Sequence, residues 1–159
     1  MSLKDIDSLY GKIILDHFRK PRNHHIIYNP DSKVKVVNPF CGDEVDLQVS
    51  IQEKKIYKIG IQSRGCSINQ ASSSLLSIEV LGKDFDQILV LEKLLKDLMN
   101  GSNLTNQETN KLGDLHKLTE ISKFPVRIKC VLLAWTAMEE IIEKLTRKFD
   151  NRSNPSTRN

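Results

Sequence analysis

Residues 45–61, with the sequence VDLQVSIQEKKIYKIGI, decide the fold of this chain. Apolar and polar residues alternate in the first half of this stretch, and the apolar ones are Val45, Leu47, Val49 and Ile51. The alternation returns at Tyr57, Ile59 and Ile61, after a polar connection at residues 53–55 that lacks the Gly or Asn common in tight hairpins. A period of two is typical of strands with one buried face, so the stretch predicts an antiparallel hairpin.

The residues upstream of the hairpin predict a third strand and a helix. Val34 and Val36 begin another alternating run, which completes a three-stranded antiparallel sheet. Apolar residues at spacings of three and four predict an amphipathic helix over residues 4–19, and Pro21 ends it. The stripe of this helix contains Ile6, Leu9, Tyr10, Ile13, Ile14, His17 and Phe18.

The residues that follow the hairpin predict helices. Ser67 and Gln70 fit a capping box at the start of a helix that Gly82 ends. Residues 85–99 predict one or two further short helices, closed by Gly101. The chain from there to residue 111 is polar and predicts a loop, although the four residues from 105 to 108 could start another helical turn.

The last helix and the domain boundaries follow from the C-terminal third. Pro125 suits the first turn of a helix and begins the last one. The order of elements predicts an α+β fold: an N-terminal helix, a three-stranded antiparallel sheet, and a helical C-terminal part packed on it. We expect residues 1–149 to form a single domain and residues 150–159 to form a disordered tail.

The composition is that of a globular domain with no unusual bias. The 159 residues are 39% hydrophobic and 28% charged, and the net charge of +4 is spread without a dense basic block. A nucleic-acid partner is therefore not expected. No apolar run approaches the ~20 residues that span a bilayer, and no secretory signal heads the chain, so we expect a cytoplasmic protein without a membrane partner.

The chain has three cysteines, and each is predicted to lie where a loop or a helix begins. Cys41 falls between the first two strands, Cys66 directly precedes a helix, and Cys130 lies in the first turns of the last helix. An odd number of cysteines argues against a disulfide framework. With Asp43, which is two residues from Cys41, the thiolates form a set of three sulfurs and one oxygen that suits Zn²⁺ or an iron–sulfur cluster.

Each of these cysteines taken alone is more often an inert buried residue than a ligand. Their shared position at loops and helix starts favours the ligand interpretation. Helix N-termini stabilise thiolates, and Arg127 and Lys129 beside Cys130 are expected to add supporting positive charge. The histidines are not expected to bind metal, because one lies on an apolar helix stripe and two lie in a polar loop: His17, His24 and His25.

Five motifs resemble, in the same order, those of the U-type iron–sulfur cluster assembly proteins. They are the segment Tyr10–Asn23, which contains Asp-His-Phe and Pro-Arg-Asn triplets, and then Asn38–Asp43, Gly65–Ile68, Leu112–Leu115 and Phe124–Cys130. The resemblance covers residues 5–147. It implies that Cys41, Asp43, Cys66 and Cys130 are the ligands of a metal ion or of a [2Fe–2S] cluster.

Two departures from the IscU branch of this family are similar to its SufU branch. Lys129 stands where the IscU branch has a histidine, and residues 121–125 replace a Leu-Pro-Pro-Val-Lys stretch that binds a chaperone. Extra residues at positions 84–103 also match the SufU branch. The resemblance therefore implies Zn²⁺ held by three cysteines and one aspartate, and sulfur accepted from a partner cysteine desulfurase.

Three functions remain open at this point. The first is a sulfurtransferase-like, zinc-dependent acceptor, in which a SufS-like cysteine desulfurase passes persulfide sulfur to Cys41, for delivery to a downstream iron–sulfur assembly complex. Cys41 is preferred as acceptor because Gly42 follows it in a loop that can move, whereas Cys66 and Cys130 lie at helix starts. The second is a scaffold on which the same four ligands assemble a [2Fe–2S] cluster. The third is a structural zinc domain that only binds partners.

Overall fold

The computed structural model describes the backbone of residues 3–153 and the side chains of residues 11–153. The strands are β1 (Ser32–Val37), β2 (Glu44–Gln52) and β3 (Lys55–Arg64). The helices are α1 (Leu3–Arg19), α2 (Ser67–Val80), α3 (Phe85–Met99), α4 (Asn106–Leu112) and α5 (Pro125–Ser153), with a 3₁₀ segment over Gly113–Lys123. This order confirms the predicted α+β fold. Within the described residues, no helix has the length and apolar character needed to cross a membrane.

The three strands form an antiparallel sheet in the order β1-β2-β3. Val34, Leu47 and Ile61 lie opposite one another across the strands, and all three are buried. The helices α2 and α5 cover this face. The alternation of apolar residues thus places one side of the sheet in the core, as predicted.

The β2–β3 hairpin differs from the predicted pattern at Tyr57. Glu53 and Lys54 both have positive φ angles, 54° and 63°, so two residues turn the chain although neither is Gly or Asn. Ser50 pairs with Lys58 but the next residue of β2 pairs with Ile56, which leaves Tyr57 as the extra residue of a bulge. Tyr57 is consequently 56% exposed, and the expectation that it lies in the core is wrong.

Helix α1 packs on α2 through a buried polar contact. His17 is buried, and its Nδ1 lies 2.7 Å from the Ser74 hydroxyl, so the histidine is a core residue as predicted. Gly11 has φ 60° and ψ 168° and interrupts the helix, which the sequence predicted to be continuous. The stripe residues Ile6, Leu9 and Tyr10 lie outside the residues whose side chains are described.

The region between α2 and α5 is more helical than predicted. α3 is one helix, and a capping box of Asp84 and Gln87 starts it. A second capping box, of Thr105 and Glu108, starts α4 inside the segment predicted as a loop, so only the suggested extra turn is confirmed. Gly113 follows with φ 55°, and a Cβ there would lie 2.9 Å from the Glu79 carboxylate.

The last helix extends past residue 149, the predicted end of the domain. α5 begins at Pro125, as predicted, and it continues to Ser153. Residues 150–153, which were assigned to a disordered tail, are therefore helical, and residues 154–159 lie outside the described residues. The fully buried Trp135 fixes the middle of α5 in the core. One face of α5 thus holds the helix against the sheet, while its first turns carry Cys130.

Candidate metal centre

Cys66 lies at the point where β3 gives way to α2. It is the N-cap of α2, and its Sγ accepts a hydrogen bond from the Asn69 backbone N–H at 3.4 Å. The helix begins at Ser67 as predicted, but the predicted capping box of Ser67 and Gln70 is wrong, because Cys66 is the N-cap. The side chain of Gln70 instead donates to the carbonyl of Gly65. The thiol itself thus occupies the positive end of the helix.

Cys41 lies in a tight connection between β1 and β2, which we call the Cys41 loop (Asn38–Asp43). Asn38 closes this loop on itself: its N–H donates to the Asp43 carbonyl, and its carbonyl accepts from the Gly42 N–H, both at 2.8 Å. Its side-chain oxygen also accepts from the Phe40 N–H. Gly42 has φ 73° and turns the chain so that Cys41 is exposed while Asp43 is buried.

The fold brings the four predicted donors together. Asp43 Oδ1 accepts the Cys66 N–H at 2.8 Å, and Asp43 Oδ2 lies 3.3 Å from Cys66 Sγ. The ligand atoms of Cys41, Asp43 and Cys130 all lie within 4.8 Å of one another. Cys130 is buried, and it is the donor that α5 contributes to the cluster. Residues that are far apart in sequence therefore meet at one end of the sheet.

The cluster shifts the pKa values of its members. Burial raises the pKa of Cys66 and of Cys130 above the ordinary 9.0, and the negative charge of Asp43 adds to both increases. Burial also acts to raise the pKa of Asp43, but hydrogen bonds from the Cys66 N–H and from the thiols outweigh it and lower the pKa of the carboxyl. For Cys66, burial thus outweighs the hydrogen bond from the Asn69 N–H at the helix start, which acts to lower the pKa of the thiol.

Arg127 and Lys129 flank Cys130 in sequence, and their supporting charge at its thiol stays a prediction. Neither takes part in an ion pair with any of the described residues. The Lys129 ammonium lies 5.1 Å from the centroid of the Phe40 ring. Lys129 therefore connects the start of α5 to the Cys41 loop.

The histidines lie away from this cluster, as the sequence predicted. His24 and His25 are exposed in the segment between α1 and β1. The buried His17 is bonded to Ser74 on α2, and burial lowers the pKa of its imidazole. Within the described residues, the group of side chains spaced to hold a metal ion contains cysteines and aspartate and no histidine.

The donor set fits a zinc ion. Zn–S bonds of about 2.3 Å in a tetrahedron separate ligand sulfurs by about 3.8 Å. The ligand atoms of Cys41, Asp43 and Cys130 lie within 4.8 Å of one another, and Cys66 Sγ lies 3.3 Å from Asp43 Oδ2, so all four donors are near ligand spacing. Burial and the Asp43 carboxylate favour the protonated thiols of Cys66 and Cys130, and the Cys66 thiol does so for Cys130 as well, so a cation among them would favour the thiolates. The fit rests on Cys41, Asp43, Cys66 and Cys130, the four residues that the sequence predicted.

Two residues that shape the site were missed by the sequence reasoning. Asn38 closes the Cys41 loop through three hydrogen bonds. Asn69 is fully buried and donates its side-chain amide to the carbonyls of Glu44 and Arg64. An asparagine directly before a turn is a recognisable signal, because its side chain often bonds to the backbone two residues later. No comparable sequence signal identifies Asn69.

Comparison with known proteins finds a matching family and similar relatives. Residues 9–131 match the model of the NifU-like N-terminal domain. The chain is 35% identical over 140 residues to the zinc-dependent sulfurtransferase SufU of Bacillus subtilis (strain 168), covering 88% of this chain and 93% of that protein. It is 35% identical over 144 residues to the iron–sulfur cluster assembly scaffold protein IscU of Streptococcus pyogenes serotype M1, covering 91% and 89%.

A solved structure shares the fold. The crystal structure of FiSufU, from the thermophile Fervidobacterium islandicum AW-1, superposes with a TM-score of 0.78 at 28% identity, covering 85% of this chain and 97% of that one. The family match covers well over half of the chain. As its resemblance to the U-type iron–sulfur cluster assembly proteins predicted, the chain belongs to the NifU-like N-terminal domain family.

Proposed function

We propose that this protein takes part in iron–sulfur cluster assembly as a zinc-binding acceptor of sulfur from a SufS-like cysteine desulfurase. The observation that supports this most directly is the unequal exposure of the donors. Cys41 is exposed on a surface loop, whereas Asp43 and Cys130 are 2% and 3% exposed and Cys66 is half-buried. One thiol can therefore meet a partner while the other donors stay in place.

Cys41, Asp43, Cys66 and Cys130 are the residues that would hold the zinc ion. When bound, zinc keeps the thiols deprotonated and therefore nucleophilic at neutral pH. The hydrogen bond from the Cys66 N–H to Asp43 Oδ1 leaves Oδ2 as the oxygen that faces the thiols. These contacts tie the carboxylate of Asp43, the last residue of the Cys41 loop, to the start of α2.

The transfer itself is a thiol–persulfide exchange. The Cys41 thiolate attacks the outer sulfur of the desulfurase persulfide, a new S–S bond forms at Cys41, and the bond to the enzyme's cysteine sulfur breaks. The enzyme's cysteine leaves as a thiolate, so no oxidant or reductant is consumed. The sulfur then passes from Cys41 to a downstream iron–sulfur assembly complex.

The surface beside Cys41 has the character of a protein-binding face. Phe40 and Val126 are 86% and 82% exposed, and Val37 and Phe124 are also exposed. Phe40 lies in the Cys41 loop and Val37 directly precedes it, and the other two lie where α5 begins. Large apolar side chains exposed together are typical of an interaction surface. This supports delivery of sulfur by a protein rather than by a small thiol.

A matched cysteine desulfurase provides the test. Adding this protein should raise the rate of alanine formation at saturating cysteine, since the enzyme-bound persulfide is then resolved by Cys41. Cys41→Ala should abolish the stimulation and leave the circular dichroism spectrum unchanged. Stimulation that survives Cys41→Ala would exclude Cys41 as acceptor.

The second candidate function is a scaffold for a [2Fe–2S] cluster, which the similarity to a protein named as an IscU scaffold supports. The same four donors would hold the cluster as cargo. A scaffold takes up iron and sulfide under anaerobic reconstitution and shows visible charge-transfer absorption. A stable, transferable cluster together with no stimulation of the desulfurase would favour this candidate. A purely structural zinc domain, the third reading, would show neither property.

A further inference from the structure

Asn69 is a fully buried polar residue in the first turn of α2, and the exchange reaction described above gives it no role. Its side-chain amide nitrogen donates to two backbone carbonyls, that of Glu44 at 3.3 Å and that of Arg64 at 3.1 Å. Its backbone N–H donates to Cys66 Sγ at 3.4 Å. One residue therefore contacts the end of β3, the start of β2 and a thiol of the candidate metal centre.

These contacts lie at the backbone next to two donors. Glu44 directly follows Asp43, and Arg64 is separated from Cys66 by Gly65 alone. Glu44 and Arg64 face each other as the last pair of the β2–β3 ladder. The amide of Asn69 thus joins both strands to α2 at the pair from which Asp43 and Cys66 leave the sheet.

The oxygen of the Asn69 side-chain amide, unlike its nitrogen, has no such hydrogen bonds among the described residues. Asn69 Oδ1 is buried and has no hydrogen-bond partner among the described residues. A buried acceptor without a hydrogen-bond partner destabilises the folded protein, whereas an apolar side chain of the same shape would not have this cost. The benefit of asparagine at this position therefore lies in its two N–H donors.

We infer that Asn69 is a positioning residue for the metal centre, which holds the Asp43 carboxylate and the Cys66 thiol at ligand spacing. The inference rests on the proposed metal site, and it predicts that loss of the amide lowers metal affinity. Partners that orient metal ligands are typically worth a factor of about 10 to 100 in affinity. A residue that only packed α2 on the sheet would not change the geometry at the metal.

The test uses Co²⁺ as a spectroscopic substitute for zinc, with the full chain under anaerobic conditions. Asn69→Leu keeps the approximate shape and removes both side-chain donors. Asn69→Gln keeps the amide, and Gln70→Leu is the matched control, since Gln70 donates its amide to Gly65 in the same turn but is partly exposed. Asn69→Ser is a smaller substitution for the case in which the leucine variant does not fold.

We expect Asn69→Leu, or Asn69→Ser in its place, to bind Co²⁺ at least about 10-fold more weakly and to shift its thiolate charge-transfer bands. Asn69→Gln should restore most of the affinity, and Gln70→Leu should bind like the wild type. Wild-type affinity and bands in both the leucine and serine variants would overturn the inference, as would an equal loss in Gln70→Leu or no recovery in Asn69→Gln. A wild-type protein that binds no Co²⁺ or Zn²⁺ would defeat the metal site itself, and the inference with it.

Discussion

The Cys41 loop and the start of α2 supply neighbouring donors but are built in opposite ways. The loop is closed by hydrogen bonds of Asn38 with its own backbone, and a Cβ on Gly42 would meet nothing within 4 Å. The start of α2 is crowded, because a Cβ on Gly65 would lie 1.9 Å from Asp43 Oδ1. In the proposed exchange, a partner can therefore displace the exposed Cys41, while Asp43, which is bonded to the start of α2, and the donors on α2 and α5 keep their positions.

The largest expected effect concerns the fixed donors. Cys130→Ser should lower zinc affinity by more than the ~100-fold that loss of an orienting partner causes, because a ligand itself is removed from a buried site. Cys41→Ser should cost less, since water can replace an exposed ligand. Zinc content by elemental analysis and competition with a chromophoric chelator measure both affinities. Equal losses in the two variants would mean that the exposed and buried donors do not differ as the structure indicates.

Substitution of Gly65, at the start of α2, and of Gly42, in the Cys41 loop, should change the stability of the protein by different amounts. Gly65→Ala places a methyl group against the Asp43 carboxylate at φ 116°, so we expect a loss of about 3 kcal/mol or more in the free energy of unfolding. Gly42→Ala needs only a left-handed backbone in open space, which costs about 1–2 kcal/mol. Urea denaturation of the metal-free variants measures both values. A Gly42→Ala variant as unstable as Gly65→Ala would show that the Cys41 loop is as constrained as the helix start.

The buried thiols also predict a pH dependence that the exposed one does not contribute. Burial raises the pKa of Cys66 and Cys130 above 9.0, so the folded metal-free protein holds these protons more tightly than the unfolded chain. The resulting stability is fully present below pH 9 and is lost as the pH rises toward the folded pKa values, by at most ~1.4 kcal/mol per pH unit for each thiol.

Thermal melting of chelator-treated protein between pH 7 and pH 11 tests this expectation. Cys130→Ser should weaken the alkaline loss of stability, and Cys41→Ser should leave it in place. An alkaline loss that disappears only in Cys41→Ser would contradict the assignment of the protonated thiols to the buried donors.

Sequence patterns predicted those parts of the fold that depend on periodicity. The buried faces of the strands follow from spacing and were found apart from Tyr57, and α1 was found with an interruption at Gly11. Tyr57 was misplaced because a bulge shifts the register by one residue, and the alternation of apolar residues contains no signal for it. The cap of α2 was misassigned because a cysteine sulfur, and not the expected serine hydroxyl, accepts the hydrogen bond at the helix start.

The candidate site was predictable in its donors but not in its support. Cys41, Asp43, Cys66 and Cys130 could be named from their residue types, positions and family motifs. Asn69 could not, because its role depends on Glu44 and Arg64 becoming partners across two strands. The contact of Lys129 with the Phe40 ring could not be named either, because it depends on the Cys41 loop meeting the start of α5 in the fold.

The smallest expected effect concerns Lys129, whose ammonium joins the start of α5 to the Cys41 loop through the Phe40 ring. An exposed cation–π contact is worth about 0.5–1 kcal/mol, so Lys129→Ala should change desulfurase stimulation by no more than about 5-fold. Lys129→Arg should retain the contact and the stimulation, and Arg127→Ala should also have a small effect because Arg127 forms no ion pair among the described residues. The measurement is the rate of alanine formation at saturating cysteine. Lys129→Ala, Phe40→Leu and the double variant form a double-mutant cycle, which gives the coupling between the lysine and the ring. Equal effects of Lys129→Ala with and without Phe40 would show that the lysine acts on something other than the ring. A loss as complete as that of Cys41→Ala would place its charge at the reacting sulfur, and the loop and the helix start would then form one functional unit.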